Sequence, residues 1–395
     1  MKADFLKYQA QTSAHPLVLE VSNASGSYIY DTKGVAYLDF IAGVSVNTLG
    51  HNHSAISKAI KDQLDNYSHV MVYGEFVQQP QLELAKLLAN NIPDPLETVY
   101  LTNSGTEAAE GALKLAKRYT GKSEIIAAKN GYHGNTQGAM SVCGAEEQNS
   151  AFRPLIPGIK FIEFNNKRDI DKITKSTAAV ILETIQGGAG FIEPKNNYLK
   201  NIKEKCEKMG ALLILDEIQS GIGRTGKLFG FENYGITPDI IITGKGLGGG
   251  MPIGAFIASH KVMSYLKQHP KLGHITTFGG HPVIAAAALA TLTTLLNSSL
   301  IAQTVKKEKL IRKLLIHPLI SEIRGKGLML AAMVESPEIA SKVILKSLKK
   351  GLLLYWLLFE DKAIRITPPL TISEDEIYKG CNIIIETLNE VLNDY

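Results

Sequence analysis

Short apolar runs bounded by glycine or proline recur through the middle of the chain, and residues 211–217 and 238–244 are two examples. Runs of this length that are rich in leucine or β-branched residues are typical of buried parallel strands. Apolar positions at helical spacing fill the stretches between such runs, as at residues 108–119. The alternation over about residues 51–273 predicts an α/β fold with a parallel-dominated sheet that is covered on both faces.

The two ends of the chain carry different patterns. Residues 26–34 predict a β-hairpin. From Pro282 a long apolar helix is followed by strand-like runs at residues 327–334 and 364–367. A final helix is predicted after Ser373, where a glutamate three residues later completes a capping box. These elements lie outside the α/β alternation.

Asp216 and Lys245 stand at the end of one predicted strand and just past the end of another. In open α/β sheets ligands bind at the carboxyl ends of the strands, so this acid and this amine should face one crevice. Pyridoxal phosphate (PLP) chemistry requires such a pair: a lysine for the Schiff base and an acid on the pyridinium nitrogen, which keeps the ring electron-accepting. The ordinary alternatives are a turn or cap for Asp216 and a solvated surface charge for Lys245.

A strand, a small polar loop and a helix start follow one another at residues 98–107. Free backbone N–H groups and the helix dipole hold anions at such a junction. We therefore expect the cofactor phosphate at Ser104, Gly105 and Thr106. Ser104 alone could also be no more than the helix cap.

Short motifs are spread over nearly the whole chain. They are Leu49-Gly50-His51-Asn52-His53, Asn103-Ser104-Gly105-Thr106-Glu107, Tyr132-His133-Gly134, Glu183-Thr184-Ile185-Gln186-Gly187, Asp216-Glu217-Ile218-Gln219, Gly223-Arg224-Thr225-Gly226, Lys245 before Gly248-Gly249-Gly250, Thr276-Thr277-Phe278-Gly279-Gly280, and Arg365. Their order and spacing resemble the class III PLP-dependent aminotransferases, the group of ornithine, acetylornithine and 4-aminobutyrate aminotransferases. The resemblance implies PLP-dependent transferase fold type I, with a large PLP-binding domain at residues 51–280. A smaller α+β domain would combine residues 1–50 and 281–395.

The resemblance also implies a role for each motif residue. Lys245 and Asp216 would be catalytic, and Lys245 would also move the substrate proton. The other cofactor contacts would be Gly105 and Thr106 at the phosphate, Tyr132 stacked on the ring, His133 supporting that tyrosine, and Gln219 at the phenolic oxygen. Thr277 would reach the phosphate of the neighbouring subunit's cofactor, which implies a homodimer with shared active sites.

Substrate binding in the family depends on an arginine and a glutamate. Arg365 would hold a substrate α-carboxylate, and Glu183 would neutralise it when an ω-amino donor presents none. The chain departs from the family at Asn135, where many ornithine and acetylornithine aminotransferases have an arginine for a substrate carboxylate; an amide carries no charge. Arg153, in a loop bounded by proline, is the expected substitute, unless it is a surface charge.

Composition and charge argue against several other classes of protein. The net charge of +4 is small and dispersed over 395 residues, which does not indicate nucleic-acid binding. No apolar stretch reaches transmembrane length, and the N-terminus lacks a signal-peptide pattern. Three cysteines without a Cys-x-x-Cys motif favour a reducing compartment without disulfides, and the histidines are too scattered for a metal site. We expect a cytoplasmic enzyme with no membrane partner.

The sequence thus predicts a PLP-dependent class III aminotransferase. It would move an amino group from an ornithine-like or N-acylornithine-like ω-amino donor to 2-oxoglutarate by a ping-pong mechanism. The alternatives are a transaminase of another amine, such as 4-aminobutyrate or lysine, and an intramolecular aminomutase of the same fold. Arg365 favours transamination, because those aminomutases do not use an arginine there for a substrate carboxylate. The natural amine donor and any assembly beyond a dimer are left open.

Overall fold

The computed structural model describes residues 1–394. The strands are β1 (Val21–Ser25), β2 (Tyr28–Asp31), β3 (Ala36–Asp39), β4 (Thr98–Thr102), β5 (Glu124–Ala128), β6 (Ile159–Ile162), β7 (Thr177–Glu183), β8 (Leu212–Asp216), β9 (Ile240–Gly244), β10 (Gly254–Ala258), β11 (Ile320–Lys326), β12 (Met329–Val334), β13 (Leu352–Leu353), β14 (Tyr355–Trp356) and β15 (Ala363–Ile366). The α-helices are α1 (Lys2–Tyr8), α2 (Ala42–Ser45), α3 (Ser54–Asn66), α4 (Gln79–Ala89), α5 (Gly105–Thr120), α6 (Gln137–Ser141), α7 (Glu146–Asn149), α8 (Tyr198–Met209), α9 (His260–Met263), α10 (Pro282–Leu296), α11 (Leu300–Leu314), α12 (Pro337–Lys349) and α13 (Glu374–Asn393).

Seven strands form the central sheet, in the order β4-β10-β9-β8-β7-β5-β6. β10 runs antiparallel to both of its neighbours, whereas every adjacent pair from β9 to β6 is parallel. All residues of β7, β8 and β9 are buried, which explains why these strands read as unbroken apolar runs. The predicted α/β fold with a parallel-dominated sheet is confirmed.

Helices cover both faces of this sheet. α5 packs small side chains such as Ala108 and Ala112 on one face. Its Gly111 lies so close to β10 that a Cβ there would be 2.3 Å from the ring of Phe256. On the other face, Ile202 of α8 belongs to the same apolar cluster as Leu213 of β8. The core of the large part of the molecule therefore lies on both sides of the central sheet.

Strands from both ends of the chain combine in two smaller sheets. β1, β2 and β3 form an antiparallel meander that β13 extends by pairing parallel to β3. The second sheet, β11-β12-β15-β14, is antiparallel throughout. The predicted hairpin is confirmed, and Ser373 caps α13 through a bond from the Glu376 N–H to its Oγ. The smaller α+β part is thus built from both termini, as predicted.

α10 is the long apolar helix predicted from Pro282, and it packs on α3 and α4. Within residues 1–394 no single helix is both long and apolar enough to cross a membrane, and α10 with α11 would qualify only together, across a 70° bend. α10 lies after residue 280, yet it contacts α3 and α4, which lie between residue 50 and the central sheet. The predicted division of the chain at residues 50 and 280 therefore stays a prediction.

Candidate active site

Adjacent strands bring an acid, a second acid and an amine to one edge of the central sheet. β7 ends at Glu183 and β8 at Asp216, and these two residues are register partners. Lys245 follows β9 directly. Because the three strands are parallel neighbours, their carboxyl ends share one edge, as in other open α/β sheets. All three residues line a cavity of about 490 Å³.

Both parts of the molecule contribute to this cavity. The central sheet and its loops supply Gly105, Thr106, Tyr132, His133, Gly134, Asn135, Glu183, Gly188, Asp216, Ile218, Gln219 and Lys245, and the smaller part supplies Val44, Leu358 and Arg365. The structure therefore brings together all the predicted site residues except three. Those outside the lining are Ser104, Thr277 and Arg153.

Asp216 is held in place by two hydrogen bonds. The Ile218 N–H donates to its Oδ1 over 2.9 Å, and the His133 Nδ1 lies 2.8 Å from its Oδ2. His133 is buried, and its Nε2 has no hydrogen-bond partner among the described residues. His133 therefore orients Asp216, a contact that the sequence did not predict, and its expected support of Tyr132 stays a prediction.

Lys245 lies in a strained and desolvated position. Its φ of 40° is in the left-handed region, which is uncommon for a residue other than glycine and often marks a functional site. Burial lowers the pKa of the Lys245 amine, and the nearby charge of Asp216 acts in the opposite direction. A lowered pKa increases the fraction of free amine, which is the form that attacks an aldehyde.

The start of α5 contributes Gly105 and Thr106 to the cavity lining. The Ser104 Oγ accepts the Glu107 N–H over 3.3 Å, so this side chain is the helix cap rather than part of the cavity lining. The N–H groups of Gly105 and Thr106 are the first two of the helix and have no intrahelical acceptor. Gly134, at φ 126°, packs on this turn so closely that a Cβ there would be 2.3 Å from the Thr106 Oγ1.

These groups match the parts of PLP. Helix-start amides suit a phosphate, an amine suits the aldehyde, and a buried carboxylate suits a protonated ring nitrogen. Tyr132 offers an aromatic face on the cavity lining and is itself packed against Phe359, with ring centroids 6.5 Å apart. The volume lies within the range of small-molecule and cofactor sites. The residues therefore fit the cofactor.

Arg365 and Glu183 are buried residues that also line the cavity. The Arg365 Nε donates to the Trp356 carbonyl over 3.4 Å, while its Nη1 is buried without a partner among residues 1–394. Burial lowers the pKa of Arg365 to about 10. The Glu183 oxygens accept the backbone N–H groups of Tyr132 and Gly187, at 3.2 and 3.0 Å, rather than bonds from Arg365. Burial raises the pKa of Glu183 to about 7, and Asp216 adds to the rise.

Arg153 and Thr277 lie outside the cavity. The Arg153 Nη2 contacts both carboxylate oxygens of Glu146 at 2.6 and 2.7 Å on the surface, so the expectation that it faces the cleft is wrong. The surrounding loop directs it to a separate depression that includes Lys129. Thr277 is exposed beside Phe278. Its contact with a neighbouring subunit stays a prediction.

Sequence reasoning assigned no role to several residues that shape the site, and three of them are instructive. Val44 and Leu358 line the cavity from irregular segments, and an isolated apolar residue in a loop gives no signal. Glu217 is fully buried and accepts bonds from the Thr184 and Ser220 hydroxyls at 2.5 and 2.8 Å, besides two backbone N–H groups. The sequence shows Glu217 next to Asp216, but it does not indicate that the Glu217 carboxylate holds these hydroxyl and backbone groups in place.

The fold and the site together define a PLP-dependent enzyme of fold type I. The model of the aminotransferase class-III family matches residues 8–388, and the chain belongs to this family. It is 39% identical to an acetylornithine aminotransferase of Caldanaerobacter subterraneus, over 98% of each chain. It is 35% identical to a [LysW]-aminoadipate semialdehyde/glutamate semialdehyde transaminase of Sulfolobus acidocaldarius, over 95% of this chain and 96% of that one.

A solved structure agrees with this assignment. The ornithine aminotransferase of Toxoplasma gondii, which has partial occupancy of PLP at its active site, superposes with a TM-score of 0.92 and 30% identity. The match covers 100% of this chain and 94% of that chain.

Proposed function

We propose that this PLP-dependent aminotransferase moves an amino group from an ornithine-like or N-acylornithine-like ω-amino donor to 2-oxoglutarate. The observation that carries the proposal is the meeting of Lys245, Asp216 and Arg365 in one cavity. The similarity to an acetylornithine aminotransferase and to a [LysW]-aminoadipate semialdehyde/glutamate semialdehyde transaminase supports the amine donor class. Arg365 disfavours the aminomutase alternative, because its buried guanidinium needs an anionic partner, which a substrate carboxylate would supply.

Each site residue would have a distinct role in the reaction. PLP, when bound, supplies the electron sink for the substrate carbon. Lys245 would hold the cofactor, and its Nζ would then take the proton from the substrate carbon and return it. Asp216, oriented by His133, would keep the proton on the ring nitrogen.

The remaining contacts would fix the position of the cofactor and substrate. Gly105 and Thr106 would bind the phosphate, Tyr132 would cover the ring, and Gln219 would bond its phenolic oxygen. Arg365 would hold a substrate carboxylate through its partnerless Nη1.

The test is a half-reaction. An amine donor alone should convert the bound cofactor from its aldehyde to its amine form, and 2-oxoglutarate should reverse the spectral change. Lys245→Ala should abolish both changes, because a methyl group can neither hold the cofactor nor carry a proton. Lys227→Ala, at an exposed lysine on a neighbouring loop, is the matched control. More than trace turnover by Lys245→Ala would reject the assignment of the lysine.

We further propose that the working unit is a homodimer with shared sites. Two segments next to Thr277 expose apolar side chains, among them Val77, 88% exposed, and Phe278, 53% exposed. The His69 ring packs against the rings of Phe278 and His281, with centroids 5.0 and 5.2 Å away, and so joins the two segments. Such a patch favours burial against another copy of the chain.

Mixed dimers test whether each active site takes residues from both subunits. A dimer of a Lys245→Ala subunit and a Thr277→Val subunit would have one intact site, because each site would take these two residues from different subunits. Activity should therefore return on mixing. No recovery, with subunit exchange confirmed, would exclude a shared site.

We also propose a cytoplasmic location, which the three buried and unpaired cysteine thiols, Cys143, Cys206 and Cys381, support.

A further inference from the structure

A series of hydrogen bonds connects the start of α5 to the loop at residues 134–138. The Thr106 Oγ1 lies 2.8 Å from the Thr136 Oγ1, and the Thr136 hydroxyl donates to the Glu110 Oε1 over 2.7 Å. The Thr136 N–H also donates to the Thr106 Oγ1, over 3.2 Å. We refer to Thr106, Thr136 and Glu110 as the hydroxyl bridge.

The Glu110 carboxylate also fixes this loop directly. Its Oε1 accepts the Gly138 and Ala139 N–H groups over 2.7 and 3.1 Å. Thr106 and Glu110 are four residues apart on α5, so their side chains lie on one face of the helix. A Cβ on Gly134 would collide with Thr106, and one on Gly138 would collide with the carboxylate itself. The loop therefore packs closely on this face and is bonded to it at both ends.

The direction of the bonds in the hydroxyl bridge follows from the number of protons. An ionised Glu110 can only accept, so it takes the single hydroxyl proton of Thr136. The Thr136 oxygen must then accept from the Thr106 hydroxyl. The Thr106 proton is thus directed toward Thr136, which lies outside the cavity lining. In the proposed function, Thr106 would bind the phosphate through its N–H, and its side chain would fix the orientation of that N–H.

We propose that Thr136 and Glu110 are positioning residues for the cofactor phosphate. They hold the Thr106 side chain, so that the N–H groups at the start of α5 are ordered before PLP binds. The proposal rests on the proposed function, because it concerns the same cofactor site. An ordered site loses less conformational entropy on binding. Removing the Thr136 hydroxyl should therefore weaken the phosphate contact and spare the contacts of Asp216 and Lys245, which lie at the ends of other strands.

PLP and pyridoxal form the test pair, because pyridoxal has a hydroxyl in place of the phosphate. The dissociation constant of each is measured by equilibrium dialysis with the full-length chain, freed of cofactor. Thr136→Val removes the hydroxyl at nearly constant volume. It should weaken PLP binding by roughly threefold to tenfold, the effect of one hydrogen bond. Pyridoxal binding should stay unchanged, because it does not use the phosphate contact.

Conservative variants and a control connect this outcome to the hydroxyl bridge. Thr136→Ser keeps the hydroxyl, and Glu110→Gln keeps an acceptor oxygen for it, so both should bind PLP as the wild type does. Thr177→Val is the matched control, because the Thr177 hydroxyl donates to the Glu124 Oε1 over the same 2.7 Å, at the start of β7 and outside the cavity lining. This control should leave the binding of both ligands unchanged.

A double variant distinguishes a positioning hydroxyl from a direct phosphate ligand. If the two hydroxyls act as one unit, Thr106→Val combined with Thr136→Val should lose no more PLP affinity than either single variant. Additive losses would mean that the Thr106 hydroxyl contacts the phosphate independently of Thr136, which would overturn the proposal. Glu110→Ala removes the acceptor at the other end of the hydroxyl bridge. It should show the same selective loss of PLP affinity and decides the question if Thr136→Val does not fold.

The outcomes separate this inference from the proposed function. Equal losses of PLP and pyridoxal affinity in Thr136→Val would overturn the inference and leave the aminotransferase assignment intact. Tighter PLP binding by this variant would also overturn it, because a released Thr106 hydroxyl would then be the better phosphate ligand. A wild type that binds PLP no more tightly than pyridoxal would instead reject the phosphate site at the start of α5.

Discussion

Replacing Asp216 by asparagine should reduce both the rate and the stability of the enzyme. An ionised Asp216 can only accept hydrogen bonds, so it takes one from the Ile218 N–H and one from His133 Nδ1–H. In asparagine an amino group replaces one of the two carboxylate oxygens, so only one acceptor oxygen remains. If the oxygen stays on the Ile218 N–H, the amino group faces His133 Nδ1, and the imidazole proton must move to Nε2. That atom has no partner among the described residues.

The magnitude follows from these contacts. Either orientation of the amide leaves a buried donor unsatisfied, which should lower the free energy of unfolding by about 1–3 kcal/mol. In the proposed function Asp216 would face the ring nitrogen, so the loss of its negative charge should lower kcat by roughly a hundredfold to a thousandfold, the range measured for removing one preorganised electrostatic contact. Thermal unfolding and single-turnover rates with bound PLP measure the two effects separately.

Asp239→Asn is the control for this experiment. Asp239 also accepts a backbone N–H, from Leu213 at 2.8 Å, and pairs with Lys203 at 2.7 Å, but it precedes β9 rather than lying at its carboxyl end. This variant should lose stability without losing rate. If Asp216→Asn kept a rate within about tenfold of the wild type, another group would have to hold the ring proton.

Four other outcomes are expected. Arg365→Gln should raise the KM for the keto acid by roughly tenfold to a hundredfold, measured by steady-state kinetics, because a charge-assisted contact is lost; an unchanged KM would contradict the assignment. Gly134→Ala should weaken PLP retention in equilibrium dialysis, because its Cβ would collide with Thr106. Arg153→Ala should leave the ratio of specificity constants for 2-oxoglutarate and pyruvate unchanged, and a selective loss for 2-oxoglutarate would return this residue to the site. Glu183 has a higher pKa in the folded state, about 7, than its ordinary 4.5, so its contribution to stability should fall as pH rises from about 4.5 through 7; denaturant unfolding should show the wild type losing stability relative to Glu183→Gln over this range.

The sequence predicted the centre of the site because its residues stand where strands end. Asp216 ends one buried apolar run, and Lys245 follows another. Because the carboxyl ends of parallel strands lie at the same edge of a sheet, the two residues are expected close together. The start of α5 was equally predictable from the sequence, since Ser104 is a typical helix cap and the residues after it have helical periodicity. Local patterns of this kind depend only on neighbouring residues.

The parts that failed depend on contacts that no local pattern encodes. Arg153 was expected in the cleft from its position in the chain, but Glu146 offers it a partner on the surface. Leu358 lines the cavity from a segment whose next residue, Phe359, donates its N–H to the Gly188 carbonyl, about 170 residues earlier in the chain. No periodicity encodes such a contact, since the two segments meet only after the smaller part has packed on the central sheet.

The pairing of β3 with β13 sets an order of events during synthesis on the ribosome. The Leu38 N–H donates to the Gly351 carbonyl and the Phe40 N–H to the Leu353 carbonyl, at 2.8 and 3.1 Å. The edge of the first meander therefore stays open until almost the whole chain has been translated, and open edges recruit other strands. Nascent chains that stall before Leu353 should bind chaperones through this edge, while the central sheet, whose last strand ends at Ala258, is already complete.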